Sequence, residues 1–453
     1  MKSLIFGSSP NAFSAALSLA EAGHQVQMVE SANHLGAPYH TLEAGGEMGL
    51  ADLHFCPQLA QRFQIGLQLL HHGGRTALRS DGSFVRATAQ QLEGIYPAQD
   101  AERWPKFVQL LDQTSALLGQ LLQSPQAPQD LGEQWRALGR RQSLEVLRLP
   151  WMSLRDLLDE WFLDEALKGM LAEVALEGVA QGPFASGTVF HLLRRWVRGD
   201  ALRPATVQGG SSALIAALLK AATQKGVKIC HSPGQPQLDC SERQLTLNDQ
   251  VFAFDQLLSD KDARWTYTQL VSPRFLETEF NTAIHRVRGR GCWQRALAQG
   301  DWPEAWPEAS QSDIIHVHPG LRNLERAYDA LKRNQVASQA PVQLCWPHFV
   351  DSSRPQQLVQ ASLGYGSGTL PTALTDVQTF GPVDYEREWQ CPQGQLWGGE
   401  TDLSQSFFLR PIPAYEAELP GLDLCGASLH PGDYSGRAGH WAAQKVLQAL
   451  AAT

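Results

Sequence analysis

Three stretches of this chain carry residues whose types and spacing could do chemistry. In the first, Gly7-Ser8-Ser9-Pro10-Asn11-Ala12 follows the apolar run Leu4-Ile5-Phe6, and Glu30 lies 23 residues beyond Gly7. A tight glycine turn between a strand and a helix aims backbone N–H groups at a phosphate. A carboxylate about 20 residues further on accepts ribose hydroxyls. In the second, Leu35-Gly36-Ala37 and the glycines up to Gly49 could cross back over such a ligand, or make a plain surface loop. In the third, the strand-like run Gly421-Leu422-Asp423-Leu424-Cys425-Gly426 enters a loop of small residues, Ala427 to Gly436, ahead of a helix over 437–450. Such a loop is a donor-rich cradle for a partly negative group.

The elements around the first stretch follow from periodicity. Residues 13–21 read as a helix that Gly23 stops, and 25–29 alternate as a strand ending at Glu30. Strand, turn, helix, strand and acid open a dinucleotide-binding βαβ unit. Glu30 rather than Arg at this point argues for FAD or NAD over a 2′-phosphorylated cofactor. Ala12 suits the helix–strand contact. Ser9 stands where glycine would let the backbone approach a diphosphate; its Cβ costs room, though its hydroxyl could donate.

Residues 55–200 read as mainly helical, with windows at 101–122, 144–149 and 154–171 and a loop at 123–131. Residues 178–187 are glycine-spaced, lead to His191, and could line a pocket. Gly209-Gly210 precedes a helix over 213–223 that Ser211 or Ser212 could cap. Strands are expected at 227–230, 245–247, 251–255 and 257–260, and further on at 312–317, 342–347 and 357–363. His316 and His318 would share a strand face, but spacing places no third ligand, so no metal is expected.

At 453 residues, the chain is long enough for two to four domains, or two large ones. Apolar residues make up 43% and charged residues 18%, so the chain is no disordered tail. Thirteen Trp suit a lined cavity, an interface or a well-packed core. A net charge of −9 with no basic stripe argues against nucleic acid. Seven Cys stand singly without a CxxC pair, which fits a reducing, cytoplasmic setting. There is no apolar run of about 18 residues, so no spanning helix is expected. Gly7 breaks the first apolar run and no small-x-small cleavage site follows, so secretion is not expected.

Gln395-Leu396-Trp397-Gly398-Gly399-Glu400, residues 403–413, and Leu424-Cys425-Gly426-Ala427-Ser428-Leu429-His430-Pro431-Gly432 closely resemble the FAD-dependent phytoene desaturase-like family. The nearest branch is the one called pyridine nucleotide-disulphide oxidoreductase domain-containing protein 2. Residues 183–193 and Gly209-Gly210 resemble further segments of the family, in the right order over nearly the whole chain. The resemblance implies an α/β fold with a Rossmann-like FAD-binding domain built from three chain segments, 1–60, 205–275 and 390–453. A discontinuous mixed α+β substrate domain would be inserted as 61–204 and 276–389. Non-covalent FAD would place Gly7, Ser9 and Ala12 at its pyrophosphate, Glu30 at the adenosine ribose and Gly36 on the stretch crossing back. Gly426 and Ala427 would pass the pyrophosphate and ribityl chain; His430, Pro431 and Gly432 would approach the isoalloxazine.

The implied chemistry is hydride transfer from an apolar or amphipathic small molecule to flavin N5, of desaturase, dehydrogenase or isomerase type. His430 would be an acid or base, or simply a structural loop residue. Arg410 would be an electrostatic partner, or pair with a carboxylate or carbonyl. Asp260 resembles the acid of the family's Ser-Asn-Ala-Asp-like strand end, or else makes a cap or turn. Cys425 reads as core. A lipid substrate would bring peripheral membrane contact, and a homo-oligomer or accessory complex fits the tryptophan content. The chain departs from the family's glycines at Ser9, Ala37 and Asp433, which leaves FAD retention open. The alternative is a flavoprotein-like binding or accessory protein that has lost redox chemistry and FAD. A flavin amine oxidase rests on fold kinship alone.

Overall fold

In the computed structural model, alternating and continuous apolar runs form β1 (Lys2–Phe6) and β2 (Gln25–Glu30), with helix α1 (Pro10–Glu21) between them. The structure describes residues 1–42, 46–50, 54–124, 133, 136, 139–299, 314–333, 342–345, 358–364, 375–407 and 419–451. Helix α1 starts at Pro10, three residues before the expected start. Ser9 Oγ accepts the Asn11 amide at 3.1 Å, and Pro10 has its φ preset for a first turn. With β3 (Lys228–His231), β4 (Gln256–Ser259) and β5 (Leu422–Leu424), the strands form a parallel sheet in the order β3-β2-β1-β4-β5. The connection from β1 runs to β2 on one side, while β4 lies on the other. A ligand crevice therefore belongs at the carboxyl ends of β1 and β4. Gly7, with φ +123°, turns the chain there. Asp260 follows β4 directly, its amide donating to the Phe6 carbonyl at 2.8 Å.

The inserted region is less helical than the sequence suggests. Three strands from 55–200, Arg75–Leu78, Phe84–Ala87 and Leu92–Gly94, continue an eight-stranded sheet whose other strands lie between 293 and 380. Ile314–Val317 pairs parallel with Arg75–Leu78, and its neighbours are antiparallel. The expected helix over 154–171 is two helices, Leu154–Trp161 and Glu165–Leu176. The break is stabilised by the Asp100 carboxylate, which accepts the Leu163 and Asp164 amides at 2.9 Å each, while Asp164 caps the second helix. His316 and His318 do not share a face: His318 leaves the strand with φ +51° and is exposed.

Helices α2 (Ala98–Leu122) and α3 (Val189–Arg198) cover this sheet and pack in one apolar cluster with Leu154, Leu167 and Leu171. Gln244–Leu247 and Gln250–Ala253 form the expected hairpin around Asn248-Asp249, both with positive φ. The last helix, α4 (Arg437–Ala451), lies against α1. Gly439 makes this approach possible, because a Cβ there would collide with the Asn11 carbonyl. Among the described residues, no helix is long and apolar enough to cross a membrane.

Candidate functional site

The amino end of α1 faces the crevice, and its first donors are already engaged. The Ser9 amide donates to Asp260 Oδ2 at 2.9 Å, and Ser9 Oγ donates to Asp260 Oδ1 at 2.6 Å. Pro10 has no N–H, and the Asn11 amide is held by Ser9 Oγ. Asp260 thus caps α1 from 251 residues away, a third role beside the two expected for it. Burial pushes its carboxyl up to about 7, against the pull of the Ser9 donors and Lys261.

Glu30 is equally occupied. Its Oε1 accepts from Lys261 Nζ at 2.5 Å and from the Ala32 amide at 2.8 Å; its Oε2 accepts from Ser8 Oγ at 2.7 Å. Burial alone would raise this carboxyl, but the Lys261 ammonium and these donors hold it below the ordinary value. Ser8 Oγ in turn accepts the Gly36 amide at 2.8 Å, and Ile215 packs against Gly36.

The helix Ser211–Gln224 repeats the device. Neither serine caps it through its own side chain. Glu47 Oε1 accepts the Ser211 amide at 2.8 Å, and Thr41 Oγ1 accepts the Ser212 amide at 3.0 Å. Burial raises the Glu47 carboxyl despite these donors.

In the C-terminal loop, Gly426 lies against the Asp260 backbone, with no room for a Cβ. Asn11 Nδ2 donates to the Asp433 carbonyl at 2.7 Å, and Asn11 Oδ1 accepts the Gly436 amide at 2.9 Å. The Asp433 carboxylate turns into its own loop and accepts the Ser435 amide at 3.0 Å. Arg194 from α3 donates to the carbonyls of Thr401, Pro431 and Gly432 at 3.1, 3.1 and 2.8 Å. His430 Nε2 donates to the carbonyls of Leu121 and Ser124 at 2.9 and 3.2 Å, and its ring stacks on Trp441. Arg410 lies outside the described residues. Cys425 is fully buried just past the end of β5.

A buried charged network lies between α3 and the large sheet. Asp200 meets His54 Nδ1 at 3.1 Å and the Nε atoms of Arg195 and Arg198 at 3.2 Å each. Burial would raise Asp200, but the two guanidiniums and His54 hold it well below the usual range. His316 Nδ1 meets Glu173 Oε2 at 2.5 Å, and Arg75 lies beyond its other nitrogen at 3.5 Å. Burial lowers His316 and raises Glu173, so each is pushed toward its neutral form.

The structure places Gly7, Ser9, Ala12, Glu30 and Gly36 on the βαβ unit at the crevice and Gly426 against Asp260, while Pro431 and Gly432 are held by Arg194; all of these and Ala427 are buried by the protein's own atoms. A dinucleotide seated there would need the α1 amides for its diphosphate and Glu30 for its ribose. Asp260, Ser9 and Lys261 already take those partners, so the residues present do not fit it. Sequence reading missed Lys261 and the Ser9 contact of Asp260. The available signal was an Asp-Lys pair at the carboxyl end of the strand beside β1.

Fold and crevice define a protein with a Rossmann-like FAD-binding region and an inserted α+β domain. No protein-family model matches the chain. It is 27% identical over 391 residues to the rat "Pyridine nucleotide-disulfide oxidoreductase domain-containing protein 2", covering 70% of this chain and 64% of that protein. The chain therefore spans just under two thirds of that relative's length. Among solved structures, an oxidoreductase from Methanosarcina mazei superposes with TM-score 0.60 at 12% identity, covering 99% of this chain and 100% of that one. Cyclohexylamine oxidase from Brevibacterium oxydans superposes with TM-score 0.59 at 15% identity, covering 99% of each chain. The structural likenesses show the fold. With the sequence likeness, they relate the chain to the FAD-oxidoreductase superfamily.

Proposed function

We propose that this chain is a binding or accessory protein built on the FAD-oxidoreductase fold, with no resident dinucleotide. The observation that carries this reading is the Asp260 carboxylate on the amino end of α1, at 2.9 Å from the Ser9 amide and 2.6 Å from its hydroxyl. In this reading His430 positions the C-terminal loop: its Nε2 proton is committed to two carbonyls of the inserted domain. The division into 1–60, 205–275 and 390–453 against 61–204 and 276–389 goes with it. Its support is that β1 and β2, then β3 and β4, then β5 come from the first three of those segments in turn.

The test is the visible spectrum of the protein purified without added flavin, repeated after FAD loading and washing. No flavin absorption is expected in either spectrum. Bands that survive washing, with FAD identified on release, would overturn this reading. They would bring forward a second one: an FAD-dependent oxidoreductase acting on an apolar or amine-type small molecule, including the phytoene desaturase-like branch. The sequence likeness to an oxidoreductase domain-containing protein and the fold shared with cyclohexylamine oxidase favour that second reading.

A further inference from the structure

We propose that Asp260 and Lys261 are an internal occupant of the dinucleotide crevice. Asp260 stands in for the diphosphate and Lys261 for the ribose hydroxyls. These two side chains, rather than the lost glycines, keep FAD out. The inference deepens the reading above and rests on it.

Three observations carry it. First, Asp260 offers α1 what a phosphate would: two acceptor oxygens on one acidic group, one on the Ser9 amide and one on its hydroxyl, at a helix end that favours negative charge. Second, the next residue supplies the complementary group. Lys261 Nζ donates to Glu30 Oε1 at 2.5 Å, where a ribose hydroxyl would donate. The two adjacent residues thus reproduce, in order, an anion and a donor at the two contact points of the βαβ unit. Third, Asp260 fills the space that Gly7 leaves open. A Cβ on Gly7 would lie 2.6 Å from Asp260 Cβ and 2.8 Å from its Oδ2.

The lost glycines act differently. The Ser9 hydroxyl serves Asp260 and the Asn11 amide. The Asp433 carboxylate serves the Ser435 amide within its own loop. Neither of these side chains is the group that meets Glu30.

The experiment titrates FAD, by flavin fluorescence, into wild type and into the Asp260→Asn, Lys261→Ala, D260N/K261A and Ser9→Gly variants, with circular dichroism to check folding. Asp260→Asn keeps the shape and removes the charge, so it reads the diphosphate point even if the double variant does not fold. The expected result is no saturable binding by wild type or Ser9→Gly. Asp260→Asn should tighten FAD by more than about tenfold, and the double variant further. If wild type holds FAD through washing, both the closed-crevice reading and this inference fall. If wild type excludes FAD and the folded Asp260→Asn variant excludes it equally, the inference falls while the reading stands. Restoration by Ser9→Gly alone would overturn the inference in favour of the lost glycine.

Discussion

Replacing Asp260 by Asn should remove a pH dependence from the protein's stability. The Asp260 carboxyl has its ordinary value of 3.8 when unfolded and is pushed up to about 7 in the fold by burial. A raised carboxyl binds its proton more tightly in the folded state. Its stabilising contribution is complete below about pH 4 and is lost as pH rises through about 7. Three pH units would correspond to about 4 kcal/mol, at about 1.4 kcal/mol per unit. Asp260 retains some solvent exposure, so screening should cut this to about 2 kcal/mol. The groups facing it are Ser9, Lys261 and Glu30. Glu30 is already paired with Lys261, whose ammonium holds the Glu30 carboxyl below its ordinary value against burial. Urea unfolding of wild type and Asp260→Asn at pH 4, 7 and 8.5 measures the effect. The two proteins should be nearly equal at the low end, where Asp260 is protonated like an amide. Asn should be the more stable by about 2 kcal/mol at pH 8.5. A difference that stays flat, or that favours wild type as pH rises, would refute the argument.

Other perturbations read other parts of the crevice. Lys261→Met leaves the buried Glu30 carboxylate without its ammonium and should cost about 3–5 kcal/mol. Adding Glu30→Gln should recover much of this, as thermal melts of the single and double variants will show. Arg194→Met strips a donor from three carbonyls, including those of Pro431 and Gly432. It should cost about 2–3 kcal/mol and speed hydrogen exchange in residues 426–436 while leaving β1 protected. His430→Phe keeps a ring against Trp441 but loses both carbonyl contacts. A loss of about 1–2 kcal/mol is expected, with no change in any ligand titration's pH profile. A shifted pH profile would instead mark His430 as an acid or base.

The sequence alone was enough for what short-range periodicity encodes. The strand–turn–helix–strand opening, the hairpin at Asn248-Asp249 and the helix ahead of the C-terminus follow from spacing and turn chemistry within about twenty residues. The Rossmann-like sheet from three segments followed from the resemblance. Strands Arg75–Leu78, Phe84–Ala87 and Leu92–Gly94 were missed because they are short, and pairing with Ile314–Val317 and with one another stabilises them. The break at Phe162-Leu163-Asp164 was hidden because Asp100, some sixty residues earlier, accepts the freed amides. The state of the crevice was decided by tertiary structure alone. Ser9 and Glu30 were named from the sequence as cofactor contacts, and both lie at the crevice. Whether either remains available to a ligand depends on Asp260 and Lys261, more than two hundred residues away. A local pattern can show that a helix end or a carboxylate faces the crevice. Only the three-dimensional pairing of β1 with β4 shows which charge reaches it first.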